Sequence, residues 1–141
     1  MTESARNYLI FTLAGSPYAF DLSQVAEVVE QPETWPIPLA TVCYPGAMNF
    51  HGEIVAVLDL AMFLGLPEGQ ASRKTVVLDT HLAALALRVE TIIRITTPEQ
   101  ATLRESTDDW TAIGHLNLPE GKITLLDAVA IAERAAATIN G

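Results

Sequence analysis

The sequence has little of the material that builds disulfide frameworks or membrane spans. Its only cysteine is Cys43, so no intrachain disulfide can form and the chain fits a reducing compartment. No base capable of activating Cys43 is near it in the sequence, and we interpret it as a packing residue. Gly, Pro or charged residues interrupt every apolar run before it reaches the roughly 18 residues of a membrane-spanning helix.

Basic residues are also scarce. Eight Lys and Arg residues stand against 17 Asp and Glu residues, which gives a net charge of -9. Such a chain repels polyanions, so nucleic acid and anionic membrane surfaces are poor partners. The N-terminal sequence MTESARNYLIF lacks the basic leader and apolar core of a secretory signal. We therefore expect a soluble, cytoplasmic protein.

Patterns that carry catalysis or metal binding are missing as well. His51, His81 and His115 are spread along the chain without paired spacing, which does not favour a zinc site. No glycine-rich phosphate loop follows a strand and no nucleophile elbow is present. The sequence thus indicates no catalytic residue, no cofactor and no metal.

The chain does contain a recurring pattern of turn, strand and aspartate. It occurs three times, from Gly15 to Asp21, from Gly52 to Asp59 and from Gly121 to Asp127. Aspartate is a good helix N-cap because its carboxylate accepts the free N–H groups of the first turn. A capping role is therefore expected for these three residues rather than an acid/base role.

The residues after each aspartate predict helices of different lengths. After Asp21, Val25, Val28 and Val29 fall at helical spacing until Pro32 ends the run, and this predicts a first helix. Only one turn fits between the second aspartate and the glycine and proline that follow. The alanine-rich segment after the third predicts a C-terminal helix.

Short apolar and β-branched runs predict strands elsewhere. They are Tyr8 to Leu13, Ile54 to Leu58, Thr75 to Leu78, Leu82 to Val89 and Thr91 to Ile95. Short strands joined by short turns favour barrels or sandwiches.

The most informative stretch is NFHGEIVAVLDLAMFLGLP, from Asn49 to Pro67. It resembles the central segment of the CheW family of chemotaxis coupling proteins. Matching residues are Gly46, Asn49, Gly52, Val55, Val57, Asp59, Leu60, Leu64, Gly65, Leu66 and Pro67. Phe50 replaces the family's Leu, Ala56 its Pro, and His51 its Arg.

The resemblance extends from about Tyr8 to Glu133. Further matches are Phe11, Leu13, Gly15, Tyr18, Phe20, Asp21, Val25, Glu27, Ile37, Pro38, Leu87 to Ile92, Gly114, Ile123 and Leu125 to Asp127. Within the range Leu87 to Ile92, Glu90 stands where the family usually has Asp. It implies a mostly β fold of two packed five-stranded SH3-like barrels with short helices and a C-terminal helix. It further implies one domain over residues 7–139 and a tail over residues 1–6.

The implied function is that of a non-catalytic scaffold in bacterial chemotaxis signal transduction. Such an adaptor couples the cytoplasmic tip of a methyl-accepting chemoreceptor to the regulatory domain of the CheA histidine kinase, in arrays at the inner membrane. By motif, the receptor-binding positions are Val25 and Glu27 on the first predicted helix, Gly46 before the central turn, and Asn49 and His51 within it. The kinase-binding surface has no motif that we can place.

His51 is the most informative departure from the family. An Arg carries a permanent charge and five donors, whereas an imidazole is mostly neutral at pH 7 and offers fewer donors. The resemblance therefore implies a weaker receptor contact, or one tuned to a different receptor.

Two other functions fit the sequence. One is an accessory CheW-like adaptor of a pilus, surface-motility or developmental pathway. The other is a β-barrel that binds a small molecule in an apolar pocket, which the composition allows.

Overall fold

A computed structural model describes residues 6–67, 74–106 and 108–138. Residues 1–5 of the expected tail and residue 139, the expected end of the domain, lie outside these ranges. The described residues form eleven strands, two α-helices and two short 3-10 turns. The strands are β1 (Tyr8–Leu13), β2 (Ser16–Asp21), β3 (Val25–Glu30), β4 (Gly46–Phe50), β5 (Glu53–Asp59), β6 (Lys74–Leu78), β7 (Leu85–Val89), β8 (Thr91–Thr96), β9 (Thr102–Glu105), β10 (Ala112–Leu118) and β11 (Gly121–Leu126). The helices are α1 (Leu60–Phe63) and α2 (Ala128–Thr138), and the 3-10 turns are Leu22–Gln24 and Pro98–Gln100.

The strands form two sheets. One has six strands in the order β8-β1-β2-β11-β10-β9, and the other has five in the order β3-β6-β7-β5-β4. The expected mostly β fold with two sheet units and a C-terminal helix is confirmed, although one unit has six strands rather than five. The strands β9 and β10 were not predicted, and β7 begins at Leu85 rather than Leu82.

Apolar side chains fill three cores. The largest combines residues of both sheets with residues of α2, such as Phe11, Leu78 and Ile131. The six-stranded sheet has its own core around Ile10, and the five-stranded sheet has one around Val57. Strand β1 is buried on both faces because its side chains alternate between two of these cores.

The helix predicted after Asp21 is wrong. A 3-10 turn of three residues follows Asp21, and Val25–Glu30 is strand β3, paired antiparallel with β6. A register shift between Val25 and Glu27 adds one residue to the strand, so Val25 and Val28 pack on the same core despite a spacing of three. A bulged strand of β-branched residues thus reproduced the spacing of a helix.

The three capping aspartates are confirmed. Carboxylate oxygens of Asp21, Asp59 and Asp127 accept hydrogen bonds from the backbone N–H groups of Ser23 at 2.9 Å, Met62 at 3.1 Å and Ala130 at 3.1 Å. Each aspartate therefore starts the turn or helix that follows it.

None of the helices in the described ranges is long and apolar enough to span a bilayer.

Candidate functional site

An open groove lies on the five-stranded sheet where β3, the end of β4 and the segment around Trp35 meet. Its volume is about 400 Å³. Apolar and polar side chains share its walls, and they are Glu27, Val29, Pro32, Glu33, Trp35, Met48, Asn49, Phe50 and His51. Three of the five predicted receptor-binding residues, Glu27, Asn49 and His51, line this groove.

A two-residue hairpin turn places His51 at one end of the groove. Strands β4 and β5 pair as far as Phe50 and Glu53, so His51 and Gly52 form the loop between them. Both have positive φ, 51° and 90°, as a type I′ hairpin turn requires. Histidine is one of the residue types that adopt this conformation more readily than most.

The side chain of Asn49 stabilises this turn. Its Oδ1 accepts a hydrogen bond from the backbone N–H of Gly52 at 2.8 Å. Asparagine often closes a turn through such a local contact. Asn49 lies in strand β4 rather than in the turn, where the sequence placed it. Its side chain therefore has a structural role in the turn, in addition to any contact with a partner.

His51 reaches across the groove to Glu27 on β3. Its Nε2 atom lies 3.1 Å from Oε1 of Glu27. The two side chains are 72% and 49% exposed, so the pair contributes about 0–1 kcal/mol to stability. The rings of His51 and Phe50 also contact, with centroids 4.4 Å apart. These contacts orient the imidazole over the groove rather than away from it.

Gly46 lies beside the groove rather than in it. It is the first residue of β4 and is buried. A Cβ atom there would lie 2.4 Å from the carbonyl oxygen of Trp35. Trp35 and Ala47 exchange two backbone hydrogen bonds, of 2.8 and 2.7 Å. The absent side chain therefore makes room for a segment of the same chain, and this segment positions Trp35.

Val25 also lies away from the groove walls. It stands in β3, not on a helix, and its half-buried side chain packs against the core shared by the two sheets. The sequence places Val25 and Glu27 close together, but the strand and its bulge send the two side chains to different surroundings. A partner contact by Val25 stays a prediction.

Sequence reasoning did not assign Trp35, Glu33, Pro32 or Val29 to this site. Trp35 is 49% exposed and is the largest side chain in the groove. The segment from Gln31 to Pro45 contains no long regular element and so gave no periodic signal. A tryptophan between a threonine and a proline in such a segment was the one available cue, because exposed tryptophans are enriched at interfaces.

The groove has an acidic rim. Glu27 and Glu33 are among its lining residues, His51 is the one histidine there, and no Lys or Arg contributes to the lining. The arrangement suits a partner that presents apolar side chains together with a donor or a cation. A polyanion does not fit it.

Two observations bear on chemistry among the described residues, the state of the Cys43 thiol and the placement of possible metal ligands. Burial, and then the negative charge of Asp59, raise the pKa of the Cys43 thiol, which lowers its thiolate fraction and its reactivity. In residues 6–67, 74–106 and 108–138, no three His, Cys, Asp or Glu side chains come together as metal ligands.

The chain is similar to known proteins of one family. A family model described as "CheW-like domain" matches residues 7–136. The protein named "Chemotaxis protein CheW" from Thermotoga maritima is 28% identical over 92 residues, which are 62% of this chain and 61% of that protein. The chain thus spans less than two thirds of that relative.

A solved structure has the same fold. The crystal structure of the scaffolding protein TtCheW from Thermoanaerobacter tengcongensis superposes with a TM-score of 0.75 at 19% sequence identity. The superposition covers 86% of this chain and 88% of that one. It shows that the two sheets follow the SH3-like architecture of that protein.

Proposed function

The chain belongs to the CheW-like domain family, and from this premise we propose that it is a non-catalytic adaptor of bacterial chemotaxis signal transduction. It couples the cytoplasmic tip of a methyl-accepting chemoreceptor to the regulatory domain of a CheA-type histidine kinase. It acts in the cytoplasm, at receptor arrays on the inner membrane. Residues 7–139 form one domain of two barrel subdomains.

The groove on the five-stranded sheet is the receptor-binding surface in this proposal. A receptor tip is a helical hairpin, and a helix binds by laying its apolar side chains into a groove. Val29, Trp35, Met48 and Phe50 supply the apolar wall for those side chains. The co-location of three family receptor positions in this one groove is the observation that carries the proposal.

The polar residues at the groove have distinct roles. Glu27 and His51 anchor polar groups of the receptor, and Asn49 holds the turn that carries His51. Gly46 acts through the Trp35 segment, because the space that its missing side chain leaves is filled by the Trp35 backbone. Val25 supports β3 from the core side.

Reconstitution tests the proposal. The purified protein is added to membranes that carry the cognate receptor and to the cognate kinase, and kinase autophosphorylation is measured with co-sedimentation of all three proteins. We expect the protein to raise autophosphorylation and to sediment with both partners. Absence of a three-protein complex would contradict the adaptor function, and a bound metabolite found instead in the purified protein would favour a small-molecule carrier.

A further inference from the structure

Most Lys and Arg side chains of the described residues are already engaged. The pairs are Arg6 with Asp21, Lys74 with Glu30, and Arg94 with Glu120, and Arg134 lies over the ring of Trp110. By contrast, neither Arg104 nor Lys122 forms an ion pair within the part of the chain that the structure describes. Arg88 on β7 forms no ion pair in that part of the chain either. What distinguishes Arg104 and Lys122 is that the two cations line the same pocket.

These two cations lie on one face of the six-stranded sheet. Arg104 of β9 is opposite His115 of β10, and Lys122 of β11 is opposite Asn117 of β10. The four side chains line an open pocket of about 290 Å³. We call Arg104, His115, Asn117 and Lys122 the cationic face.

The strand pattern keeps acidic side chains off this face. On β10, Leu116 and Leu118 are buried in the core of the sheet, so His115 and Asn117 project outward between them. Glu105 follows Arg104 but stands on the other side of β9, because successive residues of a strand alternate. The cationic face therefore presents positive charge on a chain whose net charge is negative.

Gly114 allows β9 to approach β10 closely. A Cβ atom at Gly114 would lie 2.1 Å from the carbonyl oxygen of Arg104. Only glycine admits the β9 backbone at this distance. The register of the two strands places Arg104 opposite His115.

We infer that the cationic face binds carboxylates of an acidic segment in a partner protein. A guanidinium binds a carboxylate through two parallel hydrogen bonds, and an ammonium adds a point charge. The Asn117 amide and the His115 ring add further donors. Together the four residues offer donors to a carboxylate, and none of them is an acid that would repel it.

The size of the pocket and the charge of the chain select this ligand class. A pocket of about 290 Å³ admits the end of an acidic side chain. A nucleic acid or an anionic membrane would bring many charges against the acidic surface around it, within a Debye length of about 8 Å. The side chains of Arg104 and Lys122 are exposed, so they act mainly by guiding the encounter and fixing the orientation of the partner.

This inference goes beyond the proposed function and does not depend on it. The groove lies on the five-stranded sheet and the cationic face on the six-stranded sheet. The two surfaces have opposite charge preferences, so they select different partners. The protein can therefore bind one partner at each surface at the same time.

A peptide titration tests the inference without any receptor or kinase. The full chain, labelled with ¹⁵N, is titrated with a short end-blocked peptide of alternating glutamate and glycine, followed by amide NMR shifts at constant ionic strength. We expect shifts at Arg104, His115, Asn117 and Lys122, weaker binding in higher salt, and no binding of the matched glutamine–glycine peptide. Shifts elsewhere only, equal binding of the glutamine peptide, or tighter binding of inorganic phosphate would overturn the assignment.

Matched variants complete the test. Arg104→Gln and Lys122→Gln each remove one exposed charge and should weaken peptide binding about two- to fivefold, with the thermal unfolding midpoint unchanged. Arg88→Gln makes the same charge change on the five-stranded sheet and should leave binding unchanged. Equal effects of all three variants would mean that net charge alone, not the cationic face, attracts the peptide.

Discussion

The carboxylate of Glu27 and the imidazole of His51 lie 3.1 Å apart. Glu27 is in β3 and His51 is in the turn that follows β4, and these two strands are the two edges of the five-stranded sheet. The sheet must curl until its edges meet for this contact to form. The bridge between Trp35 and Ala47 lies along the same seam. The groove is therefore a product of sheet curvature, and its walls come from the two edge strands, the turn after β4 and the segment between the strands.

His51→Arg should leave the fold intact and change receptor affinity. Arginine restores the permanent charge of the family's usual residue, and the exposed contact with Glu27 contributes little, so the free energy of unfolding should shift by less than about 1 kcal/mol. Thermal unfolding and binding to a soluble receptor fragment check this. His81→Arg, in another exposed turn, is the matched control, and unchanged affinity for His51→Arg would count against the site.

Gly46→Ala should destabilise the protein and displace Trp35. The new Cβ would clash with the Trp35 carbonyl group, and such overpacking costs about 1–3 kcal/mol. In a Trp110→Phe background, the fluorescence of Trp35 reports its surroundings, and a red shift is expected. Gly15→Ala meets open space but has positive φ, so it should lower stability without moving the emission. Unaltered emission for Gly46→Ala would contradict the role assigned to this glycine.

Asn49→Ala should loosen the turn that carries His51. The lost hydrogen bond to the Gly52 N–H group is expected to cost about 0.5–1.5 kcal/mol. Asn49→Asp keeps an acceptor oxygen in the same place and should remain close to the parent protein in stability. Urea unfolding measures both variants, and equal losses for both would show that the side-chain acceptor is not what matters.

The thiol of Cys43 should titrate at higher pH in the folded protein than in the unfolded one. Burial and the charge of Asp59 raise its pKa above the ordinary value of 9.0. The stability that this raised pKa contributes is therefore complete below pH 9.0. It is lost as the pH rises through the pKa of the thiol in the folded protein. The pH dependence of iodoacetamide alkylation, measured with and without urea, checks the direction. A native midpoint at or below the unfolded one would contradict it.

The sequence was most informative where local chemistry determines the backbone. The capping aspartates and the strand Tyr8–Leu13 followed from residue type and alternation alone. The position of Val25 did not, because a bulge in β3 gives a strand the residue spacing of a helix. Whether a sheet partner is available decides between these two conformations, and β6 lies more than forty residues further along the chain.

The candidate site was predictable only in part for the same reason. Motif matching identified Glu27, Asn49 and His51, which the curled sheet brings together in one groove. It could not identify Trp35, since the position of that residue depends on the backbone bridge beside Gly46. The cationic face was missed because strands β9 and β10 were not predicted.

The most direct test of the account is the affinity of the cognate receptor fragment for the Glu27→Lys variant, measured by isothermal titration calorimetry. Glu99→Lys makes the same charge change at an exposed residue of a 3-10 turn outside the groove. If the groove binds the receptor, Glu27→Lys should weaken binding by about tenfold or more, the loss of one charge-assisted contact, and Glu99→Lys should bind as the parent does. Parental affinity for a folded Glu27→Lys protein would contradict the account.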